Sequence, residues 1–217
     1  MEIGHAPVIV GERINPTGKP KLKEALRSAN MDYILAEGAA QEDAGAHILD
    51  VNVGLPGVDE PEMLERAVCA LQSVTGLPLQ LDSSDPRALE RAMRRYNGKP
   101  MINSVSAKAE SMAAVFPLVK KYGGVVVGLA LDEGGIPETA EGRVECAELI
   151  YDTAAEYGIA REDVVIDTLT LTVSSEPQAA QVTLEALGRI HDMGGHTILG
   201  AVSYTHLRAH ETCADLV

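Results

Sequence analysis

Three side chains carry the clearest chemistry in this sequence: Asp82, Asn103 and Asp167. Each closes an apolar, strand-like run, LQLD, MIN and VVID. An ionised carboxylate accepts two parallel N–H donors side by side, and an amide presents a donor and an acceptor on one edge. The pattern recurs at Glu12 in VIVGE, at Asp50 and Asn52 in ILDVN, and at Asp132 and Glu133 in VVGLALDE. Lys and Arg are nearly absent from these run ends. Such a row suits a neutral ligand rich in N–H donors, whereas a phosphorylated ligand would want the opposite lining. Strand-end caps and loop hydrogen bonders would use the same residue types, and spacing alone leaves both readings open.

The elements that must position these groups alternate. Strands are expected at Pro7 to Gly11, His47 to Val53, Leu79 to Asp82, Met101 to Asn103, Val125 to Leu131, Val164 to Asp167 and Thr197 to Leu199. Helical patterning lies between them. One stretch starts at Lys21 or Asp32 and runs to Ala44, with a break near Asn30. Others cover Pro61 to Val74, the SSDPRALERAMRRY stretch, Ala109 to Tyr122 with Pro117 as a kink, Thr139 to Tyr157, and Pro177 to Met193. GERINPTGKPK reads as a loop, through Asn15-Pro16 and Gly18. The run Val125 to Leu131 is apolar throughout, as a parallel strand buried on both faces should be. Strand–loop–helix repetition predicts a parallel α/β fold. In a β/α barrel, the strand C-termini form the face that carries chemistry. Seven strands are predicted and an eighth is not, so the barrel is expected to be incomplete.

The bulk properties exclude several classes. A formal charge of −14 argues against nucleic acid, which wants a basic face, and against anionic membrane surfaces. Aromatic residues make up 3% with no Trp, which weakens any base-stacking platform. Cys69, Cys146 and Cys213 form no C-x-x-C pair and suit a reducing, cytoplasmic compartment. No apolar run approaches the ~20 residues of a membrane span, and MEIGHAPVIVGER lacks the pattern of a signal peptide.

Other features rank lower. His47 reads as a packing or surface histidine before strand 2. His191 and His196 flank a Gly-Gly turn without the look of a metal pair. His206 and His210 have i, i+4 spacing that suits zinc on a helix, but lie in an anomalous tail. Gly123-Gly124 and Gly134-Gly135 lack the phosphate-loop pattern. Asp132 either reaches a ligand from the strand-5 loop or caps a turn, and RAMRRY reads as a solvated face.

The order of GERINPTGK (11–19), LDVNVG (49–54), LDSSDP (81–86), INS (102–104) and IDTLTLTV (166–173) resembles the pterin-binding methyltetrahydrofolate methyltransferases. These include the folate module of cobalamin-dependent methionine synthase and free-standing methyltetrahydrofolate:corrinoid methyltransferases. The resemblance covers about residues 7 to 200. It implies a TIM (β/α)8-type barrel, dihydropteroate synthase-like, with residues 1–200 as a pterin/folate-binding domain. It also implies a function: binding 5-methyltetrahydrofolate and passing its N5 methyl to the cobalt of a cobalamin or corrinoid carried by a partner domain or protein, as in methionine synthesis.

By resemblance Asp82, Asn103 and Asp167 hold the pterin, Asp50 and Asn52 line the same mouth, and Glu12 with Asn15 edge it. A homodimer fits the family, and no metal is expected in this module. The methyl leaves a tertiary amine, so N5 must gain positive character, which general acid help and hydrogen bonding supply. The family places an Asn for this in a G-x-SN motif after strand 7. Here Gly200 is followed by Ala201, Val202, Ser203 and Tyr204, so no catalytic residue is assigned and the chain as written is expected to bind without turnover. SYTHLRAHET resembles translated adapter read-through, and residues 201–217 are read as a non-native tail. The alternatives are a dihydropteroate synthase and a folate-binding fragment without activity. The first is disfavoured by the acidic, Arg-free loop NVGLPGVDEPE after strand 2.

Overall fold

The computed structural model describes residues 7–171 and 178–200. Among them are seven strands and seven α-helices. The strands are β1 Val10–Ile14, β2 Ile48–Asn52, β3 Leu79–Asp82, β4 Met101–Ser106, β5 Val125–Leu129, β6 Val164–Asp167 and β7 His196–Ile198. The helices are α1 Pro20–Arg27, α2 Met31–Asp43, α3 Glu60–Leu71, α4 Pro86–Met93, α5 Ala109–Tyr122, α6 Ala140–Glu156 and α7 Ala179–Asp192. A 3₁₀ turn, Arg161–Asp163, leads into β6. The expected tail at 201–217, with His206, His210 and Cys213, lies outside the described residues, as do Thr172, Val173 and the expected helix start at Pro177.

The chain divides into two compact units. The first runs to Ser104 and includes Pro117–Val126; the second holds Val105–Phe116 and the residues from Val127 on. In the first unit β1, β2, β3 and β4 pair in parallel in chain order, with Asn52 opposite Asp82 and Asp82 opposite Asn103. The Val125 N–H at the start of β5 donates to Pro100 O (2.9 Å). In the second unit Ala107 N–H, just past β4, donates to Leu131 O (2.9 Å), and Ala130 N–H to the carbonyl of Asp167 (2.9 Å). There β6 pairs in parallel with β7, Asp167 opposite Ile198.

Helix ends follow local chemistry. Asn30 caps α2 by accepting from Tyr33 N (3.3 Å), so the break expected near Asn30 separates α1 from α2. Asp59 caps α3 and Asp85 caps α4, each followed by a proline in the first turn. The first unit's core is built by Leu49, Val51, Leu64, Val68, Leu79, Leu81, Leu89 and Ile102, all fully buried or nearly so. In the second, Val127, Ile150, Val164, Ile166, Ala186 and Ile190 do the same. Burial of such side chains stabilises by about 1.5–3 kcal/mol each before the entropy cost of ordering them.

Three strand expectations need correction, the first being β4, which runs on to Ser106, so Asn103 lies within the strand and does not close it. β1 starts at Val10 and runs through Ile14, so Glu12 lies within the strand and not at its end. Pairing decides this: Val10 aligns with Ile48, Gly11 with Leu49 and Ile14 with Val51, with an irregularity between Gly11 and Ile14. β5 ends at Leu129, and Asp132 closes a tight bridge with Gly135 instead of extending the strand.

Candidate functional site

In the first unit, β2, β3 and β4 bring four of the expected residues into adjacent register. Asn52 Nδ2 donates to Asp82 Oδ2 (2.9 Å), and the Gly54 N–H donates to Asn52 Oδ1 (2.9 Å), which fixes the amide's orientation. One row deeper, Gln80 Nε2 donates to Asp50 Oδ1 (2.6 Å). Asp50 is 1% exposed, so it forms a floor and does not line an open mouth. Asp50 Oδ2 and Gln80 Oε1 are buried with no hydrogen-bond partner, an arrangement that costs about 1–3 kcal/mol for each group left unpaired. Asn103 lies midway along β4; its carbonyl accepts from Ser83 N–H (3.0 Å), and its peptide bond to Ser104 is cis.

Glu12, within β1, and Asn15, the residue after that strand, stand together. Asn15 Nδ2 donates to Glu12 Oε1 (3.3 Å), and Asn15 Oδ1 accepts from Thr17 N (3.0 Å). Lys19, which sequence reasoning did not single out, reaches back to donate to the Glu12 carbonyl (2.9 Å). The carboxylates of Glu12 and Asp50 both act on its ammonium. The site therefore holds a cation after all. Burial lowers the Lys19 pKa, and the Glu12 charge opposes that shift. Ser83 and Glu60 were also missed: Ser83 Oγ donates to Glu60 Oε1 from just beyond β3 and accepts from Asp85 N (3.0 Å). Ser83 is 4% exposed, so a buried serine holds the first turn of α3 against the end of β3.

The electrostatics follow from crowding acids in a dry place. Burial pushes Asp82 up to about 6; the Asn52 hydrogen bond pulls it down, while Glu12 and Glu60 push it further up. Burial, and then the Asp82 charge, hold Asp50 well above the usual carboxylate range. Desolvation and like-charge repulsion both disfavour ionisation. At neutral pH Asp82, titrating at about 6, offers an anionic acceptor above a carboxyl whose ionisation burial and the Asp82 charge oppose.

Asp167 belongs to the second unit, at the end of β6. The Leu169 N–H donates to its Oδ1 (2.8 Å), across a turn in which Leu169 adopts φ +59°. That left-handed conformation is uncommon for a leucine. Burial pushes Asp167 up to about 6, and the Leu169 N–H and the Arg143 guanidinium both oppose it. Thr168 Oγ1 and Thr170 Oγ1 are buried without a hydrogen-bond partner. Asp132 lies in its own turn, accepting from Gly134 N (2.7 Å), and acts on the buried Cys146, whose thiol burial raises to about 11. Among the described residues no group of three or more His, Cys, Asp or Glu could hold a metal ion, and no helix is long and apolar enough to cross a membrane.

The chain is similar to known proteins on three counts. It matches the family described as pterin binding enzyme over residues 11–211. It is 30% identical over 190 residues to a methionine synthase from Mycobacterium tuberculosis, covering 83% of this chain and 16% of that protein. It is 28% identical over 171 residues to a methylcorrinoid:tetrahydrofolate methyltransferase from Eubacterium limosum, covering 78% of this chain and 63% of that one. The chain thus spans about a sixth of the first relative and under two thirds of the second.

Among solved structures, a Xanthomonas albilineans dihydropteroate synthase with 4-aminobenzoic acid superposes with a TM-score of 0.74 at 22% identity, covering 98% of this chain and 80% of that one. The dihydropteroate synthase from Vibrio fischeri gives 0.66 at 16% identity, covering 90% and 73%. These likenesses show the fold, the α/β barrel of the dihydropteroate synthases, of which the described residues supply seven strands. The match to residues 11–211 takes in most of the sequence, and this chain belongs to the pterin-binding enzyme family.

Proposed function

We propose that this chain is a folate module: it binds 5-methyltetrahydrofolate and presents the N5 methyl group to the cobalt of a corrinoid on a partner domain or protein. The observation that carries this reading is the Asn52–Asp82 pair above the buried Asp50–Gln80 pair. A pterin edge offers a 2-amino group beside a ring N–H, a forked donor that one carboxylate can accept with both oxygens. Asp82 is assigned that role. Asn52, locked by Gly54, keeps the carboxylate turned, and Asn103, opposite Asp82 in the sheet, serves an edge that needs both a donor and an acceptor. Asp167 is assigned a second acceptor position on the pterin. Glu12 and Asn15 complete the lining above the Asp50 floor, with Lys19 offsetting the acidic charge.

The reduced corrinoid, when its partner brings it, supplies the nucleophile that takes the methyl. This chain's part is to hold and orient the folate, and to keep its N–H donors paired as charge develops at N5. Family membership supports the pterin, and the names of the two curated relatives support the methyl transfer.

The test is calorimetric titration of the purified chain with 5-methyltetrahydrofolate and with a dihydropterin pyrophosphate, followed by methyl transfer to added cob(I)alamin. Binding of the folate with no response to the pyrophosphate is expected. Binding of the pyrophosphate alone would replace this reading with pterin condensation chemistry. Folate binding without methyl transfer would leave a binding module.

A further inference from the structure

Arg143 is 1% exposed, in the first turns of α6, and its guanidinium is spent largely on backbone. Its Nη1 donates to Thr168 O (2.8 Å), Leu169 O (2.9 Å) and Thr183 Oγ1 (2.9 Å), and its Nε to Pro137 O (3.0 Å). One buried cation therefore ties together the loop before α6, the turn after β6, and α7. Thr183 Oγ1 sits within 3.2 Å of the same Leu169 carbonyl and donates to Ala179 O (2.9 Å). Leu169 is the residue held at φ +59°, and its N–H is the one that Asp167 accepts. The guanidinium thus grips the carbonyl side of the peptide unit pair whose amide side grips the carboxylate.

We propose that Arg143 is the positioning residue for Asp167, holding the turn after β6 in the one shape that aims this carboxylate at the ligand's N–H donors. The proposal rests on the assignment of Asp167 to the ligand. Without the guanidinium, the Pro137 and Thr168 carbonyls lose this donor, and the Leu169 carbonyl keeps only the Thr183 hydroxyl at 3.2 Å. The turn would then relax toward an ordinary leucine geometry and withdraw its N–H from Asp167.

The same arrangement has an electrostatic side. Asp167 is flanked by Ala130, just past β5, whose N–H donates to its carbonyl, and by β7, where Ile198 is its register partner. From α6 the Arg143 charge acts on it, and α7 contributes the Thr183 hydroxyl. Asp132, on the loop after β5, acts on Cys146. Arg143 is thus the cation that favours the ionised form of Asp167 against burial.

The experiment uses the full chain with Arg143→Lys, Arg143→Met and Thr183→Val. It has three readouts: the Asp167 carboxyl titration by carbon-detected NMR, the Leu169 amide resonance, and 5-methyltetrahydrofolate affinity at pH 6 and pH 8. In Arg143→Met the Asp167 titration is expected to move up by about one pH unit, equivalent to a tenfold change in its ionisation constant. The Leu169 amide should shift in all three variants, and folate affinity should fall about tenfold or more at pH 6, with partial recovery at pH 8. Arg143→Lys should fall between wild type and Arg143→Met. If the Arg143 variants fail to fold, Thr183→Val decides, because it leaves the guanidinium in place and removes one of its anchors. An unmoved Leu169 amide and an unmoved Asp167 titration in any folded variant would overturn the proposal. If wild type does not bind the folate while both NMR signals move, the positioning role stands and the proposed function falls. If wild type binds and neither signal moves, the reverse holds.

Discussion

The two units solve one problem in opposite ways. Each keeps a part-buried aspartate titrating at about 6, Asp82 in the first and Asp167 in the second. Around Asp82 the other charges are acids, Glu12 and Glu60, and the relief comes from a neutral amide, Asn52. Around Asp167 the relief comes from a backbone N–H and a fully buried arginine. The first arrangement is a crowd of acceptors whose protonation is shared; the second is a single acceptor held by a rigid turn. The first should therefore respond to charge changes anywhere in the crowd, and the second to the loss of one anchor.

The largest effect expected concerns that anchor. Arg143→Ala should cost about 3–5 kcal/mol in urea unfolding, because several acceptors lose a charged donor at about 1–3 kcal/mol each. A loss under 1 kcal/mol would mean that the network does not hold the second unit together. Next, Asp82→Ala should weaken 5-methyltetrahydrofolate binding by more than about 1 kcal/mol, since it removes a forked, charge-assisted contact. Unchanged affinity in a folded variant would reassign the pterin to another part of the barrel.

The pH dependence comes third. Both carboxyls must be ionised to accept the ligand's N–H donors, so affinity should be full above pH 7. It should fall below pH 6 by about tenfold per pH unit for each carboxyl that takes up a proton. Calorimetry from pH 5 to 8 measures this, and a flat profile would remove both acids from the ligand.

A stability effect of opposite sign ranks fourth. An aspartate raised from ~3.9 unfolded to about 6 folded contributes stability that is present below 3.9 and lost as pH rises through 6. At pH 8 the buried anion is a burden, so Asp167→Asn should raise stability there by about 1 kcal/mol, with the gain gone at pH 4. Thermal melts at the two pH values test the sign. Smallest of all is Lys19→Met. This lysine is only partly buried, and solvent screening should hold its effect on stability to a few tenths of a kcal/mol. A loss as large as that of Arg143→Ala would erase the contrast between the units.

The sequence was legible where one local rule governs. The strands Leu79–Asp82 and Val164–Asp167 and the helix Ala109–Tyr122 fall where apolar runs and turn residues put them. β1 did not, because Glu12 and Arg13 are exposed polar residues within a strand whose extent is set by pairing with β2 and not by its own pattern. The carboxylates were visible as run ends, but their states were not. That Asp50 is a floor and Asp82 an acceptor depends on which of two neighbouring register rows each occupies.

Lys19 gave no local sign beyond its place at the end of GERINPTGK. Arg143 did leave one. On α6 the buried residues recur at Ala140, Arg143, Ala147, Ile150 and Ala154, a helical stripe with a charge in it. A charged residue on an otherwise apolar face is a signal that it has a buried partner, and here the partners are carbonyls in two segments and a threonine hydroxyl in a third.

That last point bears on how the protein can change. Because Arg143 reads main-chain oxygens at 137, 168 and 169, it is blind to the side chains there. The turn after β6 can drift in sequence, adjusting what faces a ligand, without disturbing the guanidinium beneath it. What it cannot do is change length, since the carbonyls would leave register with the planar donor group. Variation in that segment should thus arrive as substitutions and not as insertions, and ligand preference could be retuned there without rebuilding the barrel.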